Sequence, residues 1–187
     1  MRNTFNIELI EINWIDEVDD QTDLCAHGNV KVTIGNEIVI DKAKEIDHWN
    51  LRAMGLHLLR TLKDNHTEEK LVGEHLIPCC GHHIDFLENE KNVHIQGCFT
   101  GHNFWVIHED KNVQLTTETG NTKILLSFEN YKSVILDFAD KIAEFYSDSL
   151  PRILPEDDYD KIAYSKFWEE WNQRRSEWEK TTPQHRL

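Results

Sequence analysis

Residues 29–41 read NVKVTIGNEIVID, two runs rich in β-branched residues that flank the pair Gly35-Asn36. Glycine and asparagine tolerate the positive φ angles that two-residue hairpin turns require. The pattern therefore predicts a β-hairpin over 29–41. Because the two strands of a hairpin run antiparallel, the same residues predict an antiparallel sheet.

The segment before this hairpin predicts another strand. From Thr4 to Trp14 the apolar residues alternate with polar ones, but the alternation slips by one position in the middle. The two apolar sets are Phe5, Ile7 and Leu9, then Ile10, Ile12 and Trp14. Such a slip indicates a strand with a β-bulge, since one extra residue moves the following side chains to the other face.

Beyond the hairpin the apolar spacing changes to that of a helix. Leu51, Met54, Leu58 and Leu62 form one stripe, which predicts a helix from about residue 47 to 64 with Asp47 as its N-cap. Residues 71–128 then contain short apolar runs separated by turn-forming residues. This stretch predicts five strands in an antiparallel meander, which the apolar stripe of the helix would cover.

The last third of the chain predicts two helices. An apolar stripe over 129–147 indicates the first, and Pro151 and Pro155 interrupt the pattern after it. Asp157 and Asp158 suit the cap and first turn of the second, which is predicted over 159–178.

Together these elements predict a single α+β domain over residues 1–187. Their order is strand-strand-strand-helix-strands-helix-helix, with antiparallel hairpins and a meander. Each of the three helices has one apolar stripe, so we expect them to pack on one face of the sheet. The final residues, 181–187, are predicted to be flexible.

The composition excludes several classes of function. Of 187 residues, 34 are acidic and 20 are basic, which gives a formal net charge of −14 at pH 7. This charge repels phosphate backbones and anionic lipids, so we expect neither a nucleic acid nor a membrane as the partner. No run of 18 apolar residues and no signal segment is present, which predicts a cytoplasmic chain with reduced cysteines.

A cluster of carboxylates lies just after the first predicted strand. Residues 1–50 hold eleven acids and four bases, so half of the excess negative charge lies in about a quarter of the chain. The cluster consists of Asp16, Glu17, Asp19, Asp20 and Asp23. It is either a solvated surface loop or an anionic patch that binds a basic partner.

Two turns in the middle of the chain combine cysteine with histidine. Cys80 and His82 lie at one predicted turn, and Cys98 and His102 at another. Zinc prefers four thiolate or imidazole ligands, usually supplied as two pairs, so this set predicts a zinc site. The spacing differs from the standard pairs, and the alternative is that the thiols pack as small hydrophobic residues.

Catalytic signatures are scarce. The sequence contains no G-x-S-x-G, Walker, G-x-G-x-x-G or H-E-x-x-H motif. A catalytic cysteine usually has a helix N-terminus or a cation beside it to lower its pKa, and no cysteine precedes a predicted helix. We therefore expect a binding protein and no enzyme, with an enzyme built on the Cys/His turns as the alternative.

The last predicted helix is rich in tryptophan. Trp168, Trp171 and Trp178 occur within eleven residues. Exposing three indole rings is unfavourable, so they pack either on the core of this domain or at an interface with another chain. The second arrangement would make the protein a homodimeric scaffold, which is a third reading of its function.

The C-terminal half also resembles a known group of proteins. The resemblance spans roughly residues 75–175 and rests on scattered aromatic, proline and acidic residues. These are Pro78-Cys79-Cys80-Gly81-His82, Phe104-Trp105 with His108, Tyr131 to Val134, Phe138-Ala139-Asp140, Phe145-Tyr146, Ser149-x-Pro151 and Phe167-Trp168-x-x-Trp171. The group consists of small, mostly uncharacterised bacterial proteins, some of which look like immunity proteins encoded beside secreted toxins.

This resemblance implies no catalytic residues. Together with the net charge and the acidic loop, it favours an immunity or antitoxin-type protein that inhibits a basic toxin by covering its active site. Complementary charge would raise the association rate of such a pair.

Overall fold

The computed structural model describes residues 4–41, 48–81, 83–88 and 90–178. These residues form eleven strands and three helices. The strands are β1 (Phe5–Asn13), β2 (His27–Ile34), β3 (Glu37–Ile40), β4 (Trp49–Asn50), β5 (Ile77–Pro78), β6 (His83–Asp85), β7 (His94–Gln96), β8 (Gly101–His102), β9 (Phe104–Glu109), β10 (Asn112–Thr117) and β11 (Lys123–Ser127). The helices are α1 (Leu51–Arg60), α2 (Phe128–Asp148) and α3 (Asp158–Ser176).

The first sheet confirms the predicted hairpin and the predicted bulge. Strands β1, β2 and β3 are neighbours in that order and antiparallel, and β4 also pairs with β2. Gly35 in the turn between β2 and β3 has a φ of 62°, in the left-handed region that glycine adopts without strain. The register of β1 against β2 shifts between Leu9 and Glu11, where the alternation slips in the sequence.

Helix α1 begins later than predicted. Its N-cap is Asn50 and not Asp47, because the Asn50 side chain accepts a hydrogen bond from the Ala53 N–H at 2.9 Å. Asp47 itself lies outside the described residues. All ten residues of α1 are buried, including the polar Arg52, His57 and Arg60, so the helix runs through the middle of the core.

In the described part of the middle of the chain, seven short strands form three separate sheets in place of the predicted five-stranded meander. Strands β9, β10 and β11 do form an antiparallel meander. Before it, β5 pairs with β8, and the β6–β7 hairpin lies between these two strands in sequence. Because β5 to β8 are only two or three residues long, side chains supply many of the hydrogen bonds that hold this region, as described below.

Helices α2 and α3 agree with the sequence prediction. Ser127 caps α2, and the Asp157 carboxylate caps α3 by accepting hydrogen bonds from Tyr159 and Asp160 N–H groups. Helix α1 packs against both α2 and α3, and α2 also packs on β1. The fold is therefore α+β with antiparallel sheets, as the sequence predicts. Residues 181–187, predicted to be flexible, lie outside the described residues.

Candidate functional site

The acidic loop is hydrogen-bonded to a second loop far along the chain. Asp19 accepts a hydrogen bond from the Leu150 N–H and forms an ion pair with Arg152. Gln21 donates to the Pro151 carbonyl and accepts from the Ile153 N–H, both at 2.8 Å. We call the two segments, residues 15–23 and 150–158, the paired-loop surface.

Arg152 is the central link of this surface. Its guanidinium donates to the Asp20 and Asp23 carbonyls as well as to the Asp19 carboxylate, and it lies 4.1 Å from the centre of the Trp14 ring. The side chain is only 7% exposed. Arg152 therefore holds the acidic loop in shape and contributes little positive charge to the outside.

The carboxylates of the acidic loop divide into two groups. Asp19, Asp20 and Asp23 accept hydrogen bonds from backbone N–H groups of the two loops and of Cys25. The Leu150 N–H and Arg152 lower the pKa of Asp19, and Thr22 lowers that of Asp20, so both stay ionised. Asp16 and Glu17 are exposed, as is Asp20.

The paired-loop surface carries a high density of negative charge. Its two segments contain eight acids and the single base Arg152, a net charge of −7, which is half of the formal charge of the chain. The second segment contributes Glu156, Asp157 and Asp158, all exposed. Charge concentrated in this way gives a local negative potential that attracts a basic protein.

The same surface also exposes apolar side chains. Five large apolar residues of the two segments are each at least 40% exposed. They are Ile15, Val18, Leu150, Ile153 and Leu154. Apolar side chains surrounded by polar and charged ones are typical of sites that bind another protein.

The ends of the acidic loop are fixed to the core. Trp14 at its start is buried and packs against Phe145 and Tyr146 of α2. At its end, the Tyr146 hydroxyl donates to the Leu24 carbonyl and accepts from the Ala26 N–H, each at 2.9 Å. The loop is therefore held in place before any partner binds, which lowers the entropic cost of binding.

A cluster of three thiols lies where the two Cys/His turns meet. The Cys98 N–H donates to the sulfur of Cys80 at 2.9 Å, and the Cys79 N–H donates to the Thr100 carbonyl. Hydrogen bonds from the Cys80 thiol and from Thr100 lower the pKa of Cys98 to about 7. Burial and the neighbouring Cys98 raise the pKa of Cys79 to about 11 and raise that of Cys80.

The predicted zinc set is brought together only in part. Cys80 and Cys98 are in contact, whereas the His102 ring packs edge-on against the buried Trp49, with ring centres 5.4 Å apart. His82 lies outside the described residues. Within the described ranges, no group of three or more His, Cys, Asp or Glu side chains is arranged to hold a metal ion.

The three tryptophans occupy different environments. Trp171 is 2% exposed and lies in the core against Gly55 of α1, so it is not part of an exposed surface. Trp168 and Trp178 are half-buried and pack partly against the core. Trp168 contacts Tyr146, and Trp178, just after the end of α3, contacts Phe128.

A cleft of about 450 Å³ lies between residues 70–74, residues 92–96 and helices α1 and α3. At its base the Glu170 carboxylate accepts hydrogen bonds from Arg60, from Arg174 and from the Val93 N–H, all at 2.7 or 2.8 Å. Arg60 also donates to the Val72 carbonyl. The charges at the base are thus paired with one another and connect α1, α3 and the loops.

His57 of α1 holds the wall of this cleft. Its Nδ1 lies 2.7 Å from the His75 carbonyl and therefore carries the proton. Its Nε2 is buried, with no hydrogen-bond partner among the described residues, and faces Gly73. Burial, with the charge of Arg60, lowers the pKa of His57 to about 3.

This pKa makes stability depend on pH. In the unfolded chain the pKa of His57 is about 6.5, so above this pH the ring is neutral in both states and does not make stability depend on pH. Between pH 6.5 and 3 the unfolded chain binds a proton at His57 that the folded chain does not. As the pH falls through this range, we expect His57 to lower the free energy of unfolding by about 1.4 kcal/mol for each pH unit. Urea unfolding of the wild type and of His57→Gln between pH 6 and 5 measures this slope. Equal slopes for the two proteins would contradict the assignment.

No family model, curated protein or solved structure matches this chain. In the described parts of the chain, no helix is both long enough and apolar enough to cross a bilayer.

Only half of the paired-loop surface was predicted from the sequence. The acidic loop was recognised as a carboxylate cluster, whereas residues 150–155 were interpreted only as a break between helices. The available signal was Arg152, a lone base between two prolines in an acidic stretch. Thr100, which helps to lower the pKa of Cys98, had no signal in the sequence.

Proposed function

We propose that this chain is a non-enzymatic binding protein of the immunity or antitoxin type, which inhibits a basic protein toxin through the paired-loop surface. The observation that carries the proposal is the arrangement of this surface. Two hydrogen-bonded loops present a net charge of −7 around five exposed apolar side chains. The partner that fits has apolar side chains bordered by lysine and arginine.

The mode of inhibition follows from the charge. A toxin that acts on nucleic acid binds phosphates with a basic active site, and carboxylates on a fixed loop occupy the same positions as those phosphates. Electrostatic attraction accelerates encounter, and burial of the apolar side chains slows dissociation.

Co-expression with the product of the adjacent gene tests this function directly. We expect that product to be toxic alone and harmless with this chain, and we expect the purified pair to associate more slowly as salt is raised. A neighbouring product without toxicity, together with no binding to it at low salt, would remove the basis of the proposal.

The contact surface is tested by charge reversal. The double variant Asp16→Lys/Glu17→Lys should slow association with the toxin about tenfold at low salt, because it reverses two of the exposed carboxylates of the acidic loop. Stopped-flow or biosensor kinetics measure the rate.

The matched control is Glu68→Lys/Glu69→Lys. These residues are also exposed, in the turn between Thr67 and Lys70, and the change in net charge is the same. If both double variants slow association equally, the net charge of the chain and not the paired-loop surface determines the rate.

A further inference from the structure

The three-thiol cluster is a second chemical feature, separate in sequence from the paired-loop surface. Cys79 and Cys80 follow β5, and Cys98 and Thr100 precede β8, its antiparallel partner. Because β5 and β8 pair, the two cysteine-bearing segments lie side by side. The Cys98 N–H bond to the Cys80 sulfur, at 2.9 Å, fixes the contact between them.

The cluster divides its thiols into two kinds. Cys98 receives hydrogen bonds from Cys80, Cys79 and Thr100, all of which stabilise a negative sulfur. Cys79 and Cys80 are held as neutral thiols by burial and by the nearby Cys98. A thiol of lowered pKa therefore lies beside two thiols of raised pKa that can donate to its sulfur.

Cys98 is partly exposed, as are Cys79 and Cys80. Cys98 lies between the exposed residues Gly97 and Thr100, and the side chain of Phe99 is completely exposed. By contrast, Cys25, the remaining cysteine, is buried, and burial raises its pKa. The chain thus contains a partly exposed thiol of lowered pKa, Cys98, and a buried thiol of raised pKa, Cys25, which serves as an internal reference.

We propose that Cys98 and Cys80 form a reversible oxidation site, in which a hydroperoxide oxidises Cys98 and Cys80 then closes a disulfide with it. In the first step the Cys98 thiolate attacks one peroxide oxygen, the O–O bond breaks, and the leaving hydroxide takes a proton to become water. Cys98 is then a sulfenic acid.

In the second step Cys80 acts as the resolving thiol. It loses its proton, its sulfur attacks the Cys98 sulfur, and the S–O bond breaks to release a second water. Overall, two thiols lose two electrons and one hydrogen peroxide gains them, which yields one disulfide and two waters. A dithiol reductant restores both cysteines by exchange.

The disulfide has a structural consequence. It would join the segment after β5 to the segment before β8, which in the reduced chain are held together by few hydrogen bonds. Closing a loop of this length lowers the entropy of the unfolded chain, so oxidation should raise Tm by roughly 5 °C.

The test uses the full reduced chain and one equivalent of hydrogen peroxide, followed by alkylation and peptide mapping. We expect a Cys80–Cys98 disulfide with the loss of two hydrogens in mass, free Cys25, and full reversal by dithiothreitol. The Cys80→Ser variant should instead accumulate sulfenic acid at Cys98, which dimedone traps. Cys79→Ser is the matched control and should still form the disulfide.

Alkylation of the unmodified wild type adds a readout that requires no variant. Iodoacetamide at pH 6 should modify Cys98 roughly fivefold faster than free cysteine, because more of it is thiolate. Alkylation of Cys98 no faster than that of free cysteine, or a bridge from Cys98 to Cys79 in place of Cys80, would overturn the proposal.

Discussion

The Glu170→Gln variant is expected to lose about 3 to 5 kcal/mol of its free energy of unfolding. Glu170 is 3% exposed, and its carboxylate balances the Arg60 guanidinium, which is 7% exposed. Although burial raises its pKa, the bonds from Arg60, the Val93 N–H and Arg174 lower it overall, so Glu170 is ionised when folded. Glutamine has nearly the same shape as glutamate but no charge, so the substitution leaves the buried Arg60 guanidinium without its counter-ion.

Denaturation in urea at pH 7, followed by circular dichroism, measures this loss. Asp137→Asn is the matched control, because it removes a carboxylate from an exposed ion pair with Lys141 on α2. Exposed pairs contribute about 0.2 to 1 kcal/mol. A loss in Glu170→Gln no larger than that of the control would show that the buried network contributes little to stability.

The Trp171→Ala variant should lose about 3 to 5 kcal/mol of its free energy of unfolding, because it leaves a cavity between α1 and α3. The contact of this ring with Gly55 is close: a Cβ atom at Gly55 would lie 2.4 Å from Cη2 of Trp171 and 2.7 Å from Cζ3. Gly55→Ala, a change that stabilises most helices, should therefore destabilise this one by about 1 to 3 kcal/mol.

A double-mutant cycle separates this contact from other effects. In the Trp171→Ala background the Gly55→Ala change should become neutral or stabilise by up to about 1 kcal/mol. The clash with the indole ring is then absent, and alanine still has a higher helix propensity than glycine. Thermal and urea unfolding of the four proteins gives the coupling. An equal penalty for Gly55→Ala in both backgrounds would contradict direct packing of the two residues.

The regular elements could be predicted because their signals are local. The turn at Gly35-Asn36, the bulge near Leu9 and the cap at Asp157 each depend on a few adjacent residues. The start of α1 was misplaced for the same reason: Asp47 and Asn50 are both good caps, and only the hydrogen bond to Ala53 distinguishes them.

The candidate site was less predictable because its contacts are non-local. Cys80 and Cys98, two of the four predicted zinc ligands, are in contact, whereas the His102 ring packs against Trp49 in the core. Loops have no periodicity that would pair Asp19 with Arg152. The binding function and the basic toxin stay predictions for the experiments above.

The bonds between the two loops also determine when the paired-loop surface can first form. They join positions 129 to 133 residues apart in sequence. A nascent chain has released its acidic loop long before Arg152 is synthesised, and contacts of such high sequence separation form late in folding. The paired-loop surface therefore exists only in finished, folded molecules, and a ribosome-bound chain or one truncated before Arg152 would lack it although that chain contains every carboxylate of the acidic loop.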